Sequence, residues 1–155
     1  MRIFMTGATG YIGGSVAARL LQDGHSVTGL VRTEDKAAQL KQRGIEPLTG
    51  TLADFKTIAQ AATQSDAVIN AASADDSFSV EAIIQGLAGS GKPFIHTSGT
   101  SVVSDRAAGE YSDAVFNEDT PFEPLPERML RVAIDRAVLT GCLLYTSDAA
   151  DDREV

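Results

Sequence analysis

"RIFMTGATGYIGG", residues 2–14, decides how the rest of this chain is read. "RIFMT" is a short apolar run cut off by glycine, the pattern of a buried strand. From Tyr11 onward the apolar residues fall at Ile12, Val16, Leu20 and Leu21, a helical period that Gly24 stops. Between strand and helix stand Gly7, Gly10 and Gly13, a G-x-x-G-x-x-G spacing. One glycine lets the backbone turn sharply out of the strand, one lets it approach a pyrophosphate with no Cβ in the way, and one lets helix and sheet pack closely. The helix start then offers free N–H groups and about half a positive charge to phosphate oxygens. A glycine triplet alone is weak evidence; in this strand–loop–helix setting it predicts a dinucleotide site.

The same alternation continues outward. "SVTGLVR" (26–32), "IEPLTG" (45–50), "DAVINAA" (66–72) and "KPFIHTSG" (92–99) read as further strands. Between them lie helical patterns: "TEDKAAQLKQRG" with Thr33 as cap and Gly44 as stop, "DFKTIAQAATQ" opening on Asp54 as N-cap, and "DSFSVEAIIQGLAGSG" ending at Gly91. Strands alternating with helices of about 10–15 residues predict right-handed βαβ units, an α/β fold with a doubly wound parallel sheet. From Gly99 to about Pro124 the pattern lapses into a polar loop, and "LPERMLRVAIDRAVL" (125–139) returns to helical spacing.

Composition bounds the rest. The chain has 155 residues, 43% of them hydrophobic, enough for one domain with a sizeable core. Net charge is −8, and no basic stripe is visible, which argues against a nucleic-acid surface. No apolar run approaches the ~20 residues of a membrane span, and "MRIFMTGATG" lacks a secretory pattern, so a cytoplasmic location is expected. Cys142 is the only cysteine; with two distant histidines it makes neither a disulfide framework nor a metal constellation. Asp105, Glu110, Asp113, Glu118 and Asp119 read as a solvated acidic loop rather than a cation site.

"TGATGYIG" matches, residue for residue, the T-G-x-x-G-x-x-G loop of extended and atypical short-chain dehydrogenases/reductases, the group that includes NAD-dependent epimerases/dehydratases. "GTLAD", "NAAS", "FIHTSGT" and "NEDTPFEP" are weaker matches, and together the resemblance covers residues 1 to about 140. It implies a Rossmann domain that binds NAD(P), with Gly7, Thr9, Gly10, Tyr11, Ile12 and Gly13 around the pyrophosphate. It places Thr51 and Leu52 at the adenine, Asn70, Ala71 and Ala72 under the adenosine and ribose, and Ser98 near the cofactor at the fifth strand. Thr51 stands where the family carries an Asp, and Asp54 reads as a helix cap rather than an adenine contact. The residue ending the second strand faces the adenosine ribose; an acidic side chain there accepts from the 2′-hydroxyl, whereas an Arg clamps a 2′-phosphate. Arg32 holds that position, which favours NADP(H) over NAD(H), the alternative being a solvated Arg beside Glu34 and Asp35. The family also implies an unidentified small-molecule substrate and a homodimer through the helices flanking strands four and five.

Catalysis in this family uses Tyr-x-x-x-Lys on the helix after the long loop, together with a Ser or Thr after strand five. Residues four apart share a helix face, so the ammonium can lower the phenol's pKa. That pair is absent: the lysines are Lys36, Lys41, Lys56 and Lys92, and Tyr111 is followed four residues later by Val115. The corresponding spacing holds Arg131 and Asp135, most simply a surface ion pair, with a recruited catalytic role for Arg131 as the other reading. Gly99 falls at the usual catalytic Ser position, leaving Thr100 as the nearest substitute. The hydroxyls at the end of strand five could hold a substrate carbonyl or cap the strand. His96 reads as a packed core histidine, and His25 as a turn residue. Three readings remain open: NADP-dependent hydride transfer on a small carbonyl/alcohol or sugar-nucleotide substrate, non-catalytic dinucleotide binding by a regulator, and a non-functional truncated fragment.

The last stretch reads differently. Residues 1–141 form the expected dinucleotide domain, in its N-terminal part; 142–155 are expected to be non-native. "CLLYTSDAAD", Cys142 to Asp151, resembles a conceptual translation of a transposase-type sequencing adapter. On this reading the chain is a truncated fragment without its substrate-side wall, Leu130, Ile134 or Leu139 lose cover, and any sixth strand formed by "CLLYT" is a coincidence of its apolar character.

Overall fold

The computed structural model describes residues 1–106 and 109–151, with side chains described through residue 141. Strands and helices alternate: β1 (Arg2–Thr6), α1 (Tyr11–Gln22), β2 (Ser26–Val31), α2 (Glu34–Gln42), β3 (Glu46–Thr49), α3 (Phe55–Gln64), β4 (Ala67–Asn70), α4 (Ser77–Leu87), β5 (Phe94–His96) and α5 (Met129–Asp151). Short 3₁₀ turns lie at Thr100–Val103 and Pro126–Arg128. The strands form one parallel sheet in the order β3-β2-β1-β4-β5. This is the doubly wound Rossmann-type α/β architecture that the sequence predicts. Ile3 pairs with Val27 on one side and Ala67 on the other, so β1 is central and the strand order reverses between β1 and β4. Ligands in such sheets bind beyond the carboxyl ends of the strands at that reversal.

Side-chain alternation on the strands decides which helices cover which face. Ile3, Met5, Val27 and Val31 pack with Ala17, Ala37 and Leu40 of α1 and α2. Phe4, Leu30 and Val68 point the other way, into Ile58 and Ala62 of α3 and Ala82, Ile83 and Leu87 of α4. Helix α5 joins this second face, with Ile134 and Val138 against Val80. α3 and α4 approach closely at Gly86, where a Cβ would stand 2.3 Å from the Ala59 carbonyl oxygen.

The caps divide. Thr33 and Asp76 accept from the backbone N–H of Lys36 and Ser79 and cap α2 and α4. Asp54 sits at the N-cap position of α3, yet its side chain makes no cap bond; its carboxylate turns back to accept from the backbone N–H and the hydroxyl of Thr51. The same contacts hold the Asp54 carboxyl below the usual range, the backbone hydrogen bond first. At the C-terminal end, residues 142–151 continue α5, so "CLLYT" forms helix rather than a strand. Residues 152–155 of the expected tail lie outside the described residues. Of the three apolar side chains expected to lose cover, Leu130 and Leu139 are exposed while Ile134 is buried against α4. No described helix is long and apolar enough to cross a membrane.

Candidate functional site

A parallel sheet brings every strand's carboxyl end to one edge. The residues expected at the cofactor therefore share that edge: the glycine loop after β1, Arg32 after β2, Thr51 and Leu52 after β3, Asn70 to Ala72 at the end of β4, and Ser98 after β5. The glycines act in concert. Gly7 has a positive φ of 75°, and a Cβ on it would stand 2.4 Å from the Ala71 carbonyl oxygen, so the loop rests on the backbone leaving β4. Gly13, in the first turn of α1, abuts Gly7 in turn. Gly10 is the N-cap of α1, exposed, and closes the turn through its N–H to the Gly7 carbonyl at 2.9 Å. No side chain caps α1 and no acidic residue stands in its first turn, so its orphan N–H groups and positive end face outward. Tyr11 and Ile12 are exposed beside them, and Thr9 is half-buried. This is a cradle packed backbone to backbone, where a Cβ at Gly7 or Gly13 would collide with neighbouring main chain, and its open helix N-terminus suits an anion.

Around it the other positions differ in what they offer. Arg32 is exposed and forms no ion pair among the described residues. The Thr51 hydroxyl, expected to be available to the adenine, donates to Asp54 at 2.9 Å. Leu52 packs partly against the core of the α3–α4 face.

Asn70 ties the strand ends together. Its Oδ1 accepts from the Thr6 hydroxyl and from the Ala72 N–H, and its Nδ2 donates to the Ser73 carbonyl. These backbone partners fix the amide's orientation, so Nδ2 is also the donor in the 3.0 Å contact with His96 Nδ1. His96 Nδ1 is thus an acceptor, and the neutral ring carries its proton on Nε2. Nε2 points at Asp135 Oδ1, 3.7 Å away, and both atoms are buried without a hydrogen-bond partner. The His96 side chain is 3% exposed. Desolvation pushes its pKa down, against a smaller upward pull from Asp135. The expected packed histidine is therefore buried, within a polar network rather than an apolar core.

The positions where a Tyr-x-x-x-Lys pair was sought face this network from α5. They do not pair with each other as an ion pair. Arg131 forms a two-pronged bridge to Asp75 in the loop after β4, with Nε to Oδ1 at 2.8 Å, and donates to the Ser101 hydroxyl at 2.9 Å. Asp75 holds Arg131 all the more firmly in its protonated form, and Arg131 holds the Asp75 carboxyl below its usual range. Asp135 instead accepts from the Ser98 hydroxyl at 2.6 Å. A Cβ at Gly99 would come 3.2 Å from Arg131 Nη1, so glycine there admits the guanidinium. Thr100 is exposed at the start of the 3₁₀ turn. Tyr111 lies exposed in the long loop, away from any helix. Asp75 and Asp135 were missed as site residues; the one signal for Asp135 was its place four residues after Arg131.

Comparison with known proteins bears on the class of ligand. A protein-family model described as NAD(P)H-binding matches residues 7–121. An uncharacterised protein of Schizosaccharomyces pombe is 38% identical over 141 residues, covering 83% of this chain and 46% of that protein. An oxidase of Acremonium sp. is 42% identical over 139 residues, covering 81% of this chain and 39% of its own length. The chain spans about half the length of the curated relatives it matches, or less. Among solved structures, UDP-glucose 4-epimerase from Bifidobacterium longum superposes with a TM-score of 0.69 at 16% identity, over 90% of this chain and 48% of that one, a likeness of fold. The glycine cradle, the sheet order and the family match together make the cofactor a nicotinamide dinucleotide: this chain belongs to the NAD(P)H-binding family.

Proposed function

We propose that the chain is the cofactor domain of an NADP(H)-dependent oxidoreductase or epimerase-type enzyme acting on a small carbonyl/alcohol or sugar-nucleotide substrate. The observation that carries the cofactor choice is Arg32: an exposed guanidinium without an ion-pair partner among the described residues, at the end of the strand beside the glycine loop. Gly7, Thr9, Gly10, Tyr11, Ile12 and Gly13 would hold the pyrophosphate, and Asn70, Ala71 and Ala72 the adenosine side. The bound dinucleotide supplies hydride chemistry at C4 of its nicotinamide. Arg131 stays protonated and cannot act as a general acid or base; it can donate hydrogen bonds to an oxygen on which negative charge develops. Thr100, exposed at the start of the turn after β5, would be the hydroxyl donor to the substrate.

A non-catalytic dinucleotide-binding role is the second reading. It is favoured by Arg131 standing, locked to Asp75, where the family's tyrosine is expected. Titration of the protein with NADPH and NADH tests the cofactor choice. NADPH should bind at least tenfold more tightly, and Arg32→Glu should abolish the preference while changing NADH affinity less than threefold. Equal affinities in the wild type would sink it. Turnover with carbonyl and alcohol substrates separates the enzyme from the regulator.

A further inference from the structure

We propose that Ser98 is a hydrogen-bond acceptor for a hydroxyl group of the bound ligand, and that Asp135 makes it one. The inference rests on the reading that dinucleotide and substrate occupy the sheet edge above β4 and β5.

A serine hydroxyl has one proton to give and two lone pairs. The Ser98 proton is committed to Asp135 Oδ2 at 2.6 Å. An ionised carboxylate only accepts, so the direction of this bond cannot reverse. Ser98 itself is exposed, whereas the Asp135 side chain is 24% exposed. What Ser98 presents toward a ligand is therefore its lone pairs. A hydroxyl expected to hold a carbonyl would have to donate; this one receives.

The surroundings hold Asp135 in that role. His96 faces its other oxygen with an N–H, because Asn70 occupies the opposite ring nitrogen. Arg131, one turn earlier on α5, contributes attraction between opposite charges. No lysine follows Lys92 in the sequence, so no ammonium stands on α5 to compete for the carboxylate. The ligand chemistry selected is an O–H donor: a ribose hydroxyl of the dinucleotide, or the alcohol form of a substrate. Asp135 acts through Ser98 and is a positioning residue.

A double-mutant cycle on the full chain tests this, using Ser98→Ala, Asp135→Asn and the pair. NADPH binding is titrated by fluorescence, and NADP⁺-dependent oxidation of a panel of secondary alcohols is followed by absorbance. If the ribose is the donor, Ser98→Ala weakens NADPH binding about tenfold. If an alcohol is the donor, NADPH affinity stays within twofold and alcohol oxidation falls at least tenfold. In either case the double variant should lose no more than Ser98→Ala alone, as an Asp135 that acts through Ser98 requires; an Asp135 that acts through Arg131 or through the fold would add its own loss. The proposal is overturned if neither quantity depends on Ser98 by more than twofold, or if the two losses add. Should Asp135→Asn fail to fold, Ser98→Ala, an exposed change, decides alone. A wild-type protein that binds no NADPH would overturn the cofactor reading instead.

Discussion

A Cβ placed on Gly13 would stand 2.2 Å from the carbonyl oxygen of Gly7, closer than any real Cβ approaches a backbone atom. The helix start and the turn out of β1 are thus packed backbone to backbone. Gly10, between them, has a negative φ of −80° and meets nothing closer than 3.2 Å. Gly13 and Gly10 should therefore separate by experiment. Gly13→Ala should cost about 2–3 kcal/mol of stability, as overpacking does, and lose NADPH binding with it. Gly10→Ala should melt within a few degrees of wild type, since its methyl group meets only the Gly7 carbonyl oxygen at 3.2 Å, while binding NADPH at least tenfold more weakly if the exposed start of α1 holds the phosphates. Calorimetry and fluorescence titration on the same samples check both.

The Arg131–Asp75 bridge joins α5 to the loop after β4, and Arg131 to Ser101 joins it to the turn after β5. Both carboxylate oxygens of Asp75 are engaged, a geometry that an ammonium cannot reproduce. Arg131→Lys should keep the charge yet release both loops. Amide hydrogen exchange should quicken across residues 73–76 and 100–103 and remain unchanged in β1 and α1.

His96 predicts the shape of the acid limb. Burial holds its folded pKa below the unfolded value of about 6.5. Below pH 6.5 the unfolded chain binds a proton that the folded chain refuses, so stability falls as pH falls, at no more than about 1.4 kcal/mol per pH unit from this one group. Asp54, Asp66, Asp75 and Glu127 have lowered values and withdraw their contributions only under their ordinary range, near pH 4. Replacing His96 by Gln should flatten the stability profile between about pH 6.5 and 5 and leave the limb below pH 4 in place. Urea unfolding at a series of pH values measures it; an unchanged profile would contradict the assignment.

The two aspartates before helices should behave differently. Asp76 accepts from the Ser79 N–H at 2.8 Å, so Asp76→Ala should cost about 1 kcal/mol and fray the start of α4. Asp54 contributes no such bond to α3. Asp54→Ala should leave the exchange rates of the Lys56 and Thr57 amides unaltered and loosen the turn at Thr51 instead.

Local signals were read well from the sequence. The strand 2–6, the Thr33 cap, the helix from Tyr11 and the stops at Gly24 and Gly44 each depend on residues within a turn of one another, and each stands where the periodicity places it. The errors share a cause. Asp54 was read as a cap because Asp commonly caps; its carboxylate had a competing donor pair in Thr51, three residues back, and took it. Arg131 and Asp135 were paired because i and i+4 share a helix face. Sharing a face means sharing neighbours, and stronger partners lay across the crevice: Asp75, 56 positions away, and Ser98, 37 away.

By itself the sequence determined the alternation of strand and helix, the parallel winding that follows from it, and a glycine loop shaped for phosphate. These rest on side-chain periodicity and on the freedom of a residue without a Cβ, both local properties. Only the tertiary structure decided the polarity of the site: which way the Ser98 proton points, which tautomer His96 carries and which carboxylate holds Arg131. Those choices follow from buried donors and acceptors finding partners among groups that the sheet alone brings together. No spacing along the chain records that competition.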